Sequence, residues 1–145
     1  MSEVVSRKCS RLRGSARGVR WAAAVLLVMA TAFPALADGA LWVGVPPDGL
    51  RNGFAYGYDT GKTPEAAIAS ARQSCQEQAT RNGLDPGNCR QIDTFKGRCV
   101  AVAMDPVNRW AGWSVSGTLE QARSDALAEC SKGASACRID NSACD

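Results

Sequence analysis

Displaced by 55 residues, the chain falls on itself: Thr63-Pro64-Glu65-Ala66-Ala67 lies over Thr118-Leu119-Glu120-Gln121-Ala122, Ala71 over Ala126, and Cys75 over Cys130. Gly57-Tyr58 lies likewise over Gly112-Trp113. A loop seven residues shorter in the second copy then sets Cys89-Arg90 over Cys137-Arg138, and Cys99 over Cys144. Such self-similarity restricts the chain to topologies that one unit can build twice. The halves are expected at about residues 40–98 and 99–145.

Each copy carries a readable helix start. Thr63 is a good N-cap with Pro64 at the first helical position and Glu65 in the first turn, and Thr118 with Gln121 three residues on has the capping-box spacing. The helices should end near Thr80, at Arg81-Asn82-Gly83, and near Cys130, at Ser131-Lys132-Gly133. Ala67, Ala71 and Cys75, like Ala122, Ala126 and Cys130, recur every four residues and give each helix a narrow stripe that can approach a sheet closely. Two short β-type runs precede each helix, at residues 41–45 and 53–58 and at 100–104 and 109–115, and a third strand is expected after it, at 89–95 and 136–141. The unit reads ββαβ. Two of them predict an α+β domain with two helices and a mostly antiparallel six-stranded sheet.

The six basic residues Arg7, Lys8, Arg11, Arg13, Arg17 and Arg20 lie together at the start of the chain, opposed only by Glu3. They precede thirteen largely apolar residues, 21–33, and then Ala35-Leu36-Ala37, with small residues at the spacing of a processing site. Residues 1–37 therefore read as a secretory signal peptide cleaved near Ala37. The apolar run is shorter than the roughly 20 residues a membrane-spanning helix needs, so no stable membrane insertion is expected after cleavage. Residues 38–145 are expected to form a single domain, periplasmic or secreted.

Cys9 leaves with that segment, and Cys75, Cys89, Cys99, Cys130, Cys137 and Cys144 remain. An even number of cysteines behind a signal peptide reads as three disulfides in an oxidising compartment. A thiolate metal site would favour paired C-x-x-C spacings, which are absent. Six cysteines allow fifteen pairings. The duplication narrows them: equivalent cysteines pair equivalently, Cys75 with Cys89 and Cys130 with Cys137. Cys99 and Cys144, as symmetry mates, would then join each other and clamp the two halves together.

The chain contains no histidine, which removes Ser/His/Asp and Cys/His nucleophile systems and histidine metal sites. No cofactor is expected, because neither G-x-G-x-x-G nor a P-loop occurs. Without the leader, 11 basic and 13 acidic residues leave a net charge of −2, which disfavours nucleic acid. Glu65 and Glu120 are repeat mates, with Asp59, Asp93 and Asp140 near strand ends, so a carboxylate hydrolase is the competing enzyme class. Glutamate in a first helical turn is expected from the macrodipole alone, and a non-enzyme is the preferred reading.

Two surfaces are candidates for protein contact. Alternation puts Phe54, Tyr56 and Tyr58 on one strand face, with Trp113 at the place of Tyr58 in the second copy. These aromatics either face the helices and form the core, which is the expected arrangement, or lie uncovered as a binding or dimerisation surface. The second is the turn Phe95-Lys96-Gly97-Arg98, an aromatic between two cations that would suit an acidic cleft but reads most simply as a solvated hairpin tip.

Phe54-Ala55-Tyr56-Gly57-Tyr58, Thr63 to Cys75, Cys89-Arg90, Cys99-Val100-Ala101-Val102-Ala103, Trp110-Ala111-Gly112-Trp113 and Thr118 to Cys144 together resemble the bacterial domain-of-unknown-function 4189 family. The resemblance implies a small exported domain and brings no catalytic residues. It departs from the usual pattern in the long loop between Cys75 and Cys89 and in the first strand, Leu41-Trp42-Val43-Gly44-Val45. The combined expectation is an exported, disulfide-clamped, non-enzymatic module acting by contact with an unidentified protein partner, inhibitor- or immunity-like in the cell envelope. Its oligomeric state has no signature in the residues.

Overall fold

A computed structural model of the protein describes residues 38–61 and 63–145; the segment read as a signal peptide lies outside them. The elements run β1 (Asp38–Gly44), β2 (Ala55–Gly61), α1 (Pro64–Arg81), β3 (Cys89–Lys96), β4 (Cys99–Met104), β5 (Ala111–Ser116), α2 (Leu119–Ser131) and β6 (Arg138–Cys144). This is the ββαβ unit twice. All strand pairs are antiparallel, but the six strands form two three-stranded sheets, β2-β1-β3 and β5-β4-β6, and not one continuous sheet.

Both helices begin as the caps dictate: the Thr63 hydroxyl accepts from the Ala66 amide and the Thr118 hydroxyl from the Gln121 amide, each at 3.2 Å. The reciprocal half of the capping box does not form. Gln121 instead donates from its side chain to Asp125 at 2.7 Å, one turn ahead. Ala67, Ala71, Cys75 and Ala79 are buried along α1, and Ala122, Ala126 and Cys130 along α2. The sheets receive these stripes through their smallest residues. A Cβ on Gly57 would overlap the Ala71 carbonyl oxygen and the Cys75 amide, and one on Gly112 the Ala126 oxygen and the Cys130 amide. Small residues on both sides let helix and strand backbones approach to near contact.

Strand alternation then decides the layers. Ala40, Trp42 and Ala55 meet α1, and Ala101 and Ala103 meet α2, so Leu41, Val43, Val100 and Val102 face the other way. They pack against each other with Phe54, Phe95 and Ala111 in one cluster drawn from both sheets. The order of layers is α1, first sheet, second sheet, α2. The aromatic row thus corrects the expected arrangement: Phe54, Tyr56, Tyr58 and Trp113 turn away from the helices, yet their face is covered, because the second sheet lies on the first.

Three disulfides join Cys75 to Cys89, Cys130 to Cys137 and Cys99 to Cys144. The first two tie each helix to its following strand. The third differs from the clamp expected between the halves. Gly57 lies opposite Trp42 and its mate Gly112 opposite Ala103, so β1 corresponds to β4 with Asp38 at the place of Cys99. Asp38 faces Lys96 as Cys99 faces Cys144. Cys99 and Cys144 are therefore cross-strand neighbours within the second sheet. The halves are held together by the inter-sheet core. Each sheet also has a bulge at the same place, between Leu41 and Trp42 and between Val102 and Ala103, which leaves Ile92 in β3 and Asp140 in β6 unpaired.

Candidate functional site

Where β2 and β6 meet at one seam of the sandwich, the tyrosine hydroxyls reach across. Tyr56 donates to the Asp140 carboxylate at 2.5 Å and Tyr58 to the Asn141 side-chain oxygen at 2.7 Å. The bulge makes this possible, since it turns Asp140 out of the ladder toward the opposing sheet. Partial burial and the neighbouring carboxylate push the Tyr56 hydroxyl well above its ordinary value of 10.0, and burial with the Asp59 charge raises Tyr58. A phenol held protonated is a donor and not a base. Phe54 stacks on Tyr56 with centroids 5.9 Å apart and is buried. The aromatic row is thus interior packing with a polar rim.

The other seam, between β3 and β5, is closed by Arg98. Its guanidinium reaches Asp93 at 3.3 Å and donates to the Val115 carbonyl at 2.7 Å. The turn from Phe95 to Arg98 does not present an aromatic between two free cations: Phe95 is only 4% exposed and lies over Gly39, while Lys96 pairs with Asp38 at 3.6 Å. The Asp145 carboxylate accepts from the Gly97 and Arg98 amides at 2.8 and 2.7 Å and pins the turn.

Glu65 and Glu120 occupy the first turns of α1 and α2, both exposed, and these helices cover opposite outer faces of the sandwich. Two sheets separate them, so they form no paired-carboxylate site. Asp59 accepts from the Thr60 amide at 2.8 Å, and Asp93 and Asp140 are engaged at the two seams. Among the described residues no group of three or more metal-ligating side chains comes together.

The two edge strands on the helix side differ. On β2, the Tyr56 amide donates to the Gln78 side-chain oxygen and the Phe54 carbonyl accepts from the Asn82 amide group, so the C-terminal part of α1 covers that edge. On β5 the phase of the ladder follows from the Asp105 amide donating to the Trp110 carbonyl and from Arg98 reaching the Val115 carbonyl. Even-numbered residues bond β4; Ala111, Trp113 and Val115 turn their backbone groups to the edge. α2 is 13 residues long against 18 for α1, and Gly133, two residues past its end with the Trp110 ring against it, stands where α1 has Gln78. Among the described residues no side chain bonds the Ala111 or Trp113 amide, and a recess of about 350 Å³ lined by Leu50, Trp110, Trp113, Glu129 and Lys132 lies alongside.

A scan against protein families matches the family described as Domain of unknown function (DUF4189) over residues 42–144. The chain belongs to this family. No curated protein and no solved structure matches it. The DUF4189 match spans both ββαβ units, from the middle of β1 to the end of β6, so the family unit is the complete sandwich. Among the described residues of this DUF4189 domain, no helix is long and apolar enough to cross a membrane.

Sequence reasoning missed three features of the domain. Asp140 and Asn141 were legible only as a strand end, because a bulge leaves no residue signature. Gln78 and Asn82 cap an edge that is defined by the strand order. Asp105, buried in the turn after β4, accepts from the Val107, Asn108 and Ala136 amides and from the Asn108 side chain. Its signal in the sequence is Asp105-Pro106-Val107-Asn108, a turn-type run between β4 and β5.

Proposed function

We propose that this domain is an exported, disulfide-stapled, non-enzymatic module that acts by contact with a protein partner, and that the partner adds an extended segment to the open edge of β5. The observation that carries this reading is the asymmetry of the edges. β2 is covered by Gln78 and Asn82, whereas the Ala111 and Trp113 backbone groups stand beside an aromatic recess. An edge of this kind offers main-chain hydrogen bonds for affinity and a pocket for an alternate apolar side chain. Three disulfides in so small a body accord with an oxidising compartment and with the leader read at residues 1–37. An inhibitor or immunity-like role in the cell envelope fits a rigid body of this size.

The test is capture of an envelope protein by the oxidised domain, followed by hydrogen exchange of the complex. Slowed exchange at Trp113 and Val115 on binding, with capture lost in Val115→Pro of unchanged circular dichroism, is the expected result. Proline there removes an edge donor and no ladder bond. Capture that leaves those amides unprotected would sink the edge assignment. Turnover of a cell-wall substrate that Glu65→Gln with Glu120→Gln abolishes would establish the carboxylate hydrolase instead.

A further inference from the structure

We infer that the recess between Arg81 and Arg109 binds a small amphiphilic anion, a carboxylate or phosphate carrying an apolar group. Three segments from both halves converge there: the loop entering β2, the end of α1 and the loop between β4 and β5. They enclose about 430 Å³. Phe54, Leu84 and Met104 supply apolar wall, Asn82 a polar side chain, and Arg81 and Arg109 two guanidinium groups, with no carboxylate in the lining. The lining exposes more polar than apolar surface, so the charged head of the ligand carries most of the recognition and its apolar group packs on Phe54, Leu84 and Met104. Two guanidinium forks select a planar or tetrahedral oxyanion over a neutral ligand.

Neither arginine is committed elsewhere in a way that would compete. Arg81 has one exposed, loose ion pair with Glu77, at 3.9 Å, which an entering anion can displace at little cost. Arg109 is the one non-glycine residue with positive φ among those described, at 54°. Such a conformation in a bulky residue is strained, and strain of this kind collects at ligand sites. Glycine would sit there without penalty.

The test is titration of the purified oxidised protein with benzoate, phenyl phosphate and benzyl alcohol, read by backbone amide shifts. Benzoate or phenyl phosphate should give saturable shifts at Phe54, Asn82 and Arg109, the tighter of the two naming the head group, with benzyl alcohol at least tenfold weaker. Arg81→Gln with Arg109→Gln should abolish those shifts. Arg109→Gly separates binding from folding: its melting temperature should hold or rise while affinity for the anion falls at least tenfold. Equal binding of benzyl alcohol, no saturable shift with either anion, or full anion affinity in Arg109→Gly would overturn the assignment. None of these outcomes depends on the β5 edge, so this site and the proposed contact surface fail separately.

Discussion

Lys96 lies 3.6 Å from the Asp38 carboxylate at the register position where the second sheet carries the Cys99–Cys144 disulfide. One half of the duplication ties its central strand to an edge strand with an ion pair, the other with a covalent bond. The two are far from equal. A pair this exposed contributes about 0–1 kcal/mol, whereas the chain-entropy model assigns about 4 kcal/mol to a bridge closing a loop of 45 residues. Lys96→Met should therefore move the urea-unfolding free energy by no more than about 1 kcal/mol, and Cys99→Ser with Cys144→Ser by several times that. The reciprocal experiment installs the missing bridge: Asp38→Cys with Lys96→Cys should form a fourth disulfide, detected by peptide mapping, and raise the midpoint.

Gly57 and Gly112 carry the close approach of each helix to its sheet. Gly57→Ala and Gly112→Ala should each cost about 1–3 kcal/mol, because the added methyl meets helix backbone and has no space to move into. Gly117→Ala is the control, since nothing lies within 4 Å of a Cβ there. Thermal unfolding of the three variants distinguishes the two classes, and an equal loss at all three would refute the packing argument.

The chain has two tyrosines, and both are at the β2–β6 seam. Absorbance titration near 295 nm therefore reports that seam alone. Both phenols have folded values above the unfolded value near 10.0, so the folded state holds their protons more tightly. Their contribution to stability is complete below about pH 10 and is lost as pH rises beyond it. Ionisation should be delayed past the ordinary phenol range and should rise together with loss of tertiary structure. Tyr56→Phe removes the Asp140 bond and should cost about 1.5–3 kcal/mol near neutrality, as for hydrogen bonds to charged groups. A normal titration curve in the native protein would contradict the seam geometry.

Asp105 predicts the acid limb. The Asn108 backbone amide, with further donors from the Asn108 side chain, Val107 and Ala136, lowers its carboxyl from 3.8 to about 2. A depressed folded value stabilises the native state above the unfolded value, and that stabilisation is lost as pH falls through the folded one. Stability should decline between about pH 4 and pH 2, and Asp105→Ala should remove that part of the decline while lowering the melting temperature at neutral pH. The Ala136 contact ties the β4–β5 turn to the segment before β6, so hydrogen exchange in both segments should quicken in the variant.

The residues carried the local structure and the symmetry. Thr63 and Thr118 capped the helices where their spacing required, the alanine stripes became the buried faces, and the ββαβ order followed from the repeat. The pairing of Cys75 with Cys89 and of Cys130 with Cys137 was legible because symmetry reduces the options. These are properties of short range or of self-comparison, which a linear sequence contains.

What lay beyond the sequence were relations between elements distant along the chain. Alternation told which residues share a strand face but not which layer covers that face, so Phe54 and Tyr56 could be sorted from Ala55 and Gly57 without revealing that a second sheet would bury them. The partner of Lys96 depended on register, which placed Cys99 opposite Cys144 and Asp38 at the matching position in the first sheet. Among the described residues the β5 edge lacks the side-chain bonds that Gln78 and Asn82 give β2, and α2 is five residues shorter than α1; both follow from how helix and edge strand meet and not from local sequence. Composition and spacing settle how each unit is built; which backbone groups remain without an internal partner is decided only once the two units have packed, and that is a property of the assembled sandwich alone.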